Sequence, residues 1–157
     1  MNIFLTGSPR VGKSTLIQNF LRENPELKVG GFCTVCGKCG DGVYIAPASS
    51  PDTVQTPENL VGIRRGGKKP ISFPDIFDKV GSSLLSSPDC DLIIMDELGI
   101  MESDAEAFQA AVFAVLNSKT PVLGVIKPKS TAFLDAVRAH EKTVIVEITL
   151  ENRNFFL

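Results

Sequence analysis

Tryptophan is absent, and the 157-residue chain carries one tyrosine and one histidine. So few stacking rings argue against a surface for single-stranded nucleic acid. A net charge of −2, from 16 basic and 18 acidic residues, gives no basic field for a polyanion either, so no nucleic-acid partner is expected. No apolar run reaches the roughly eighteen residues that a membrane-spanning helix needs, so no membrane partner is expected. The first predicted strand starts at residue 2, which leaves no room for a leader and makes the cytoplasm the expected compartment. Four cysteines in such a compartment are expected as thiols or metal ligands rather than disulfides. The length predicts one domain over residues 1–157, large enough for a substantial core.

What is present is concentrated near the start. Gly7-Ser8-Pro9-Arg10-Val11-Gly12-Lys13-Ser14 fits G-x-x-x-x-G-K-[ST], and Thr15 follows it. The apolar run Asn2 to Thr6 before it reads as a buried strand, and Thr15 to Leu21 after it as an amphipathic helix. Strand, glycine loop and helix form the context of a phosphate-binding P-loop. Gly7 and Gly12 let the backbone curl closely around a ligand. The loop N–H groups then face an anion at a helix mouth. Lys13 is predicted to reach the β- and γ-phosphates, and the Ser14 hydroxyl to ligate Mg²⁺.

Beyond the first helix, Lys28–Cys36 and Val43–Ala46 read as strands joined by a hairpin turn at Gly40-Asp41-Gly42. Residues 47–57 read as a surface loop. Leu60–Arg65 reads as a short strand ended by Gly66-Gly67-Lys68-Lys69-Pro70, and Ser72 as the cap of a helix with Pro74 in its first turn. Asp91–Asp96 has the unbroken apolarity of a strand buried on both faces. Ser103-x-x-Glu106 predicts a capping box for a helix bearing Phe108, Ala111, Val112, Val115 and Leu116. A strand at 121–126, a helix at 131–139 and a last strand at 143–148 complete an α/β pattern, which calls for a mostly parallel sheet flanked by helices.

Holding phosphate is not hydrolysing it, and the second strand signal supplies acids. A parallel strand ending in Asp96 places that carboxylate at the carboxyl edge of the sheet, where the P-loop also lies. Asp96 is therefore predicted to hold Mg²⁺ opposite Ser14, and Glu97 to polarise the attacking water.

Several segments together resemble one family, the small P-loop nucleoside-triphosphatases known from thermophiles and from vertebrates. The likeness runs nearly end to end. It rests on the loop Gly7 to Thr15, on Gly31-Phe32-Cys33-Thr34, on Met95-Asp96-Glu97-Leu98-Gly99-Ile100-Met101-Glu102, and on Asn152-Arg153. The resemblance implies a RecA-like P-loop NTPase core with a β-hairpin insertion. It also implies Mg²⁺-dependent hydrolysis of ATP, GTP and other nucleoside triphosphates, with broad base tolerance. Three departures stand out: Arg10 where the family has glycine, Ile100 where it has lysine, and Cys36-Gly37-Lys38-Cys39 where it carries an arginine.

Other readings stay open at this level. Cys33, Cys36 and Cys39, with Cys90, offer a metal site, although odd spacing on one strand sends Cys33 and Cys36 to opposite faces. Arg64-Arg65 and Lys68-Lys69 form a basic patch from which one arginine is a candidate phosphate contact. His140, near a helix end, is expected at the surface, and Phe155 and Phe156 are expected to bury. Asn152-Arg153 reads either as a tail that touches the base or as sheet-edge packing. The rival functions are a P-loop small-molecule or nucleotide kinase and a nucleotide-sensing module with little turnover. The oligomeric state is not encoded in any pattern seen here.

Overall fold

A strand with an unbroken apolar run needs cover on both faces, and Phe4-Leu5 of β1 (Asn2–Thr6) and Leu92–Met95 of β6 (Leu92–Leu98) receive it. The computed structural model describes residues 1–86 and 89–156, the side chain of Phe156 excepted. Between β1 and β6 lie β2 (Val29–Cys36), β3 (Gly42–Pro47), β4 (Leu60–Arg65) and β5 (Lys68–Ser72). After them come β7 (Val122–Ile126) and β8 (Thr143–Glu147). The eight form one sheet in the order β5-β4-β3-β2-β6-β7-β1-β8. The run from β2 through β8 is parallel, and β2 to β5 pair antiparallel.

Strand alternation divides the core. Leu5, Leu92, Ile94 and Val125 turn to one face, where Leu16 and Ile17 of α1 (Lys13–Glu23) cover them. Phe4, Ile93, Met95 and Ile126 turn to the other, against Phe77, Phe108, Val112, Leu134 and Val137. That second layer comprises α2 (Pro74–Ile76), a π turn at Phe77–Gly81, α3 (Ser82–Leu85), α4 (Glu106–Asn117) and α5 (Ala132–Ala139). Phe108 is its centre, with ring centroids 5.4 Å from Phe32 and 5.2 Å from Phe77. Among the described residues no helix is long and apolar enough to cross a membrane.

Four local expectations are corrected. The antiparallel extension carries one strand more than expected: Lys68, Lys69 and Pro70 do not end the segment but belong to β5, after a turn at Gly66-Gly67. An edge strand tolerates a proline because one row of its N–H groups needs no partner, and lysines discourage further pairing. Ser72 therefore closes β5, and Phe73 stands at the N-cap of α2, with Pro74 in its first turn as expected. Strand β6 does not end at Asp96 but runs on to Leu98, with a register shift after Asp96. The Ser103 capping box does not form: Ala105 is the N-cap of α4, and the Ser103 hydroxyl donates to Ile100 O at 2.7 Å. Instead Asp78, in the π turn, accepts the Phe108 N–H at 2.9 Å. A cap is worth about 1 kcal/mol, whereas each large apolar residue α4 buries is worth roughly 1.5–3 kcal/mol. Packing therefore sets where α4 starts, and a carboxylate from the neighbouring helical segment serves its end.

Candidate active site

The loop between β1 and α1 takes the shape that its glycines allow. Gly7 has φ 137°, and a Cβ there would lie 2.4 Å from Ile148 O, so only glycine lets the loop leave β1 against the end of β8. Gly12 caps α1 in the left-handed region, at φ 103°. Arg10 also adopts a left-handed φ of 63°. Such a conformation costs a non-glycine residue about 1–2 kcal/mol, which explains why glycine suits that position.

Lys13 opens α1 and folds its ammonium back over the loop, donating to Gly7 O at 2.8 Å and Ser8 O at 2.7 Å. Burial lowers its pKa, opposed by the nearby Glu97 and Asp96 carboxylates. Two carbonyls thus satisfy a charge that is 8% exposed.

Asp96 lies where strand parity sends it. Residues 92, 94 and 96 share the α1 face, so the carboxyl that follows two core positions emerges beside the first turn of α1. The Ser14 hydroxyl donates to Asp96 Oδ1 at 3.0 Å. Burial pushes the Asp96 pKa up to about 6; the Ser14 bond and Lys13 pull against this, and Glu97 adds to it. Glu97 forms an ion pair with Lys127, Oε1 to Nζ 3.4 Å. Ser14 and Asp96, 82 residues apart in sequence, thus meet, and Glu97 lines the same cleft.

These groups line a cleft of about 250 Å³ that also takes in Thr34, Cys36, Arg64, Met101 and Glu102. Of the basic pair, Arg64 lines this cleft, while the Arg65 guanidinium donates twice to Lys69 O, at 2.8 and 2.6 Å. A second hollow of about 290 Å³ flanks the loop and is lined by Arg10, Gly12, Thr15, Leu16, Arg153 and Asn154.

Two cleft residues carried no role in the sequence reading. Lys127 is the first polar residue after the apolar strand β7 and emerges at the same edge as Asp96; that position was the available signal. Its backbone is held by N–H donation to Leu98 O at 2.9 Å and by the Arg138 guanidinium on its carbonyl. It supplies a cation to Glu97 where Ile100 cannot. Glu102 is 3% exposed and accepts the Gly99 N–H at 2.7 Å. Burial pushes its pKa up to about 7, against the pull of hydrogen bonds from the Gly99 and Glu102 N–H groups and of Lys127.

The remaining candidates fall elsewhere. Cys33 pairs in register with Asp96, and burial with that neighbouring carboxylate pushes its thiol up to about 11. Cys36 and Cys39 are exposed, and among the described residues no group of three or more His, Cys, Asp or Glu side chains is arranged to hold a metal. His140 Nε2 pairs with Asn117 Oδ1 at 2.8 Å, joining the ends of α5 and α4. Phe155 is 86% exposed, against the expectation that it buries: it lies on a terminal 3₁₀ turn, Arg153–Phe156, beyond the sheet. The side chain of Phe156 lies outside the described residues.

A family model described as NTPase matches residues 2–157. The nucleoside-triphosphatase THEP1 of Methanosarcina barkeri is 35% identical over 161 residues, covering 98% of this chain and 91% of the relative. Among solved structures, a human cancer-related nucleoside triphosphatase superposes with TM-score 0.73 at 26% identity, covering 98% of this chain and 92% of that one. The crystal structure of THEP1 from Aquifex aeolicus gives TM-score 0.76 at 21% identity, covering 98% and 93%, and supports the P-loop fold.

Proposed function

This chain belongs to the NTPase family of nucleoside-triphosphatases, and we propose that it cleaves the β–γ phosphoanhydride bond where the loop Gly7–Thr15 meets the end of β6. The observation that carries this reading is the 3.0 Å bond between Ser14 Oγ and Asp96 Oδ1, which joins the phosphate loop to the acid of a central strand. Residues 1–157 act as one domain in this reading, supported by the single sheet and the full-length family match.

Ser14 and Asp96 also fit Mg²⁺. Both offer hard oxygen donors, and two protein ligands suffice for an ion that keeps waters and takes the rest of its shell from phosphate. A buried carboxyl whose pKa stands near 6 gains from a cation beside it. When bound, the ion neutralises charge on the β- and γ-phosphates. The chain's own residues do the rest. The backbone N–H groups of the loop Gly7–Thr15 orient the phosphates, Pro9 contributing none, with Ser8, Pro9, Arg10, Val11 and Gly12 forming the curl between. The Lys13 ammonium leaves Gly7 O and Ser8 O for phosphate oxygens. Glu97, oriented by Lys127, accepts the proton of the attacking water. Arg64 reaches the same cleft from β4 and supplies a further cation to the transferring phosphoryl group. ATP, GTP and other nucleoside triphosphates are the substrates.

Phosphate release from ATP and GTP, with and without Mg²⁺, tests the reading. Lys13→Ala should lose about a hundredfold or more in rate, and Glu97→Gln should bind nucleotide while turning it over at least about a hundredfold more slowly. Wild-type release no faster than that of Lys13→Ala overturns the assignment, and an unimpaired Glu97→Gln removes Glu97 from its role.

A further inference from the structure

The loop Gly7–Thr15 has an opening on each flank, and the hollow beside Arg153 has no task in the hydrolysis described above. Successive helix residues project about 100° apart, so Ser14 turns to the acid-lined cleft and Thr15 to the hollow. We propose that this hollow is the nucleoside subsite, with the base lying on the face of the Arg153 guanidinium. The proposal rests on the triphosphatase reading and extends it to the other end of the substrate.

Charge sets the substrate's direction. The cleft is lined by Asp96, Glu97 and Glu102, with Arg64 and Lys127. The charged residues lining the hollow, among those described, are Arg10 and Arg153. The acid-lined side suits the cleaved, metal-binding end of the triphosphate, so the nucleoside leaves the loop on the other side. There two guanidiniums meet the first phosphate and an aromatic base. Leu16 adds an apolar floor, and Thr15 and Asn154 add hydrogen-bonding groups.

The Asn152-Arg153 pair is built to place that guanidinium. Asn152 staples the turn after β8: its Nδ2 donates to Glu147 O at 2.9 Å, and its Oδ1 accepts the Thr149 N–H at 2.8 Å. Thr149 returns the bond, its Oγ1 accepting the Asn152 N–H at 3.1 Å. The Arg153 N–H donates to Thr149 O at 3.0 Å, and its Nη1 lies 3.5 Å from Val11 O, against the phosphate loop. At that distance the side chain is aimed without being tightly engaged. A guanidinium face attracts the π surface that every base shares. It therefore adds affinity without choosing among bases, in keeping with a chain that has no tryptophan to serve as the plate.

The test is calorimetric binding, in Mg²⁺, of the β,γ-imido analogues of ATP and GTP and of inorganic triphosphate, which has no nucleoside. Arg153→Ala should weaken both nucleotide analogues about tenfold, the size of one base stack, and leave inorganic triphosphate within about twofold. Arg153→Lys, which keeps the charge and loses the plane, should stay more than about threefold weak for the nucleotides. Unchanged nucleotide affinity in Arg153→Ala, an equal loss for inorganic triphosphate, or full recovery in Arg153→Lys overturns the proposal. Circular dichroism of both variants guards against misfolding. Absence of hydrolysis by the wild-type protein sinks the triphosphatase reading instead and leaves the binding comparison standing.

Discussion

Glu102 illustrates what a single side chain decides in this protein. Its carboxyl is buried, accepts the Gly99 N–H, and has its pKa pushed up to about 7 from an ordinary value of 4.5. A carboxyl whose folded pKa is raised favours folding when protonated. Its contribution is fully present below about pH 4.5 and is lost as pH rises through 7. Glutamine keeps an oxygen for Gly99 and cannot ionise. Glu102→Gln should therefore gain on the wild type as pH rises from 4.5 to 8, by an amount on the order of 3 kcal/mol. Urea melts at the two pH values check this, and a pH-independent difference refutes it. The neighbouring pair of Glu97 and Lys127 has the opposite character. It is partly exposed, so its value lies in orienting Glu97 rather than in stability.

At the scale of elements, strand β2 is placed by one glycine. Gly31 has φ 93°, and a Cβ there would lie 2.0 Å from Ile94 O of the paired strand β6. Alanine would meet both the left-handed penalty and the backbone of the strand that delivers Asp96. Gly31→Ala should cost at least about 3 kcal/mol and weaken nucleotide binding with it. A denaturation midpoint equal to the wild type's would contradict this close approach. The glycine at the head of Gly31-Phe32-Cys33-Thr34 is therefore a matter of sheet pairing. Helix α4 shows the reverse case, in which a local sequence signal gives way to a neighbour. Ser103 is free to cap it but bonds Ile100 O, and Asp78 does the work from another segment.

At the scale of the whole molecule, the proposed site predicts that ligand binding stabilises the fold. A nucleotide held as proposed, across the loop, β6 and the turn after β8, would bind only the folded chain. At a hundred times its dissociation constant such a ligand stabilises by about 2.7 kcal/mol. For a chain of this size that is a rise of roughly 5–10 °C in Tm. Thermal melts with the β,γ-imido analogue of ATP should show this rise with Mg²⁺ present and much less after chelation. Lys13→Ala should abolish it. An equal shift with and without the metal would separate binding from the Ser14 and Asp96 pair.

The loop, the helix behind it, the buried strands and the acid at position 96 are legible in the amino-acid order, because they follow from local periodicity and a contiguous motif. Parity along β6 already aimed Asp96 at the face that α1 covers. Which cations complete the cleft is settled by folding alone. Lys127 follows β7 and Arg64 lies near the end of β4, while Arg153, on the 3₁₀ turn after β8, lines the hollow instead, and no local pattern distinguishes Arg64 from Arg65 until β5 engages one of them. Folding also decided the reach of β6 to Leu98, the third antiparallel strand and the cap of α4. The end of β6 and the cap of α4 depend on partners distant in the chain, and a hydrogen bond between distant segments leaves no periodic trace in either of them; β5 pairs with its neighbour β4 across Gly66-Gly67, but its lysines and proline disguise it as loop.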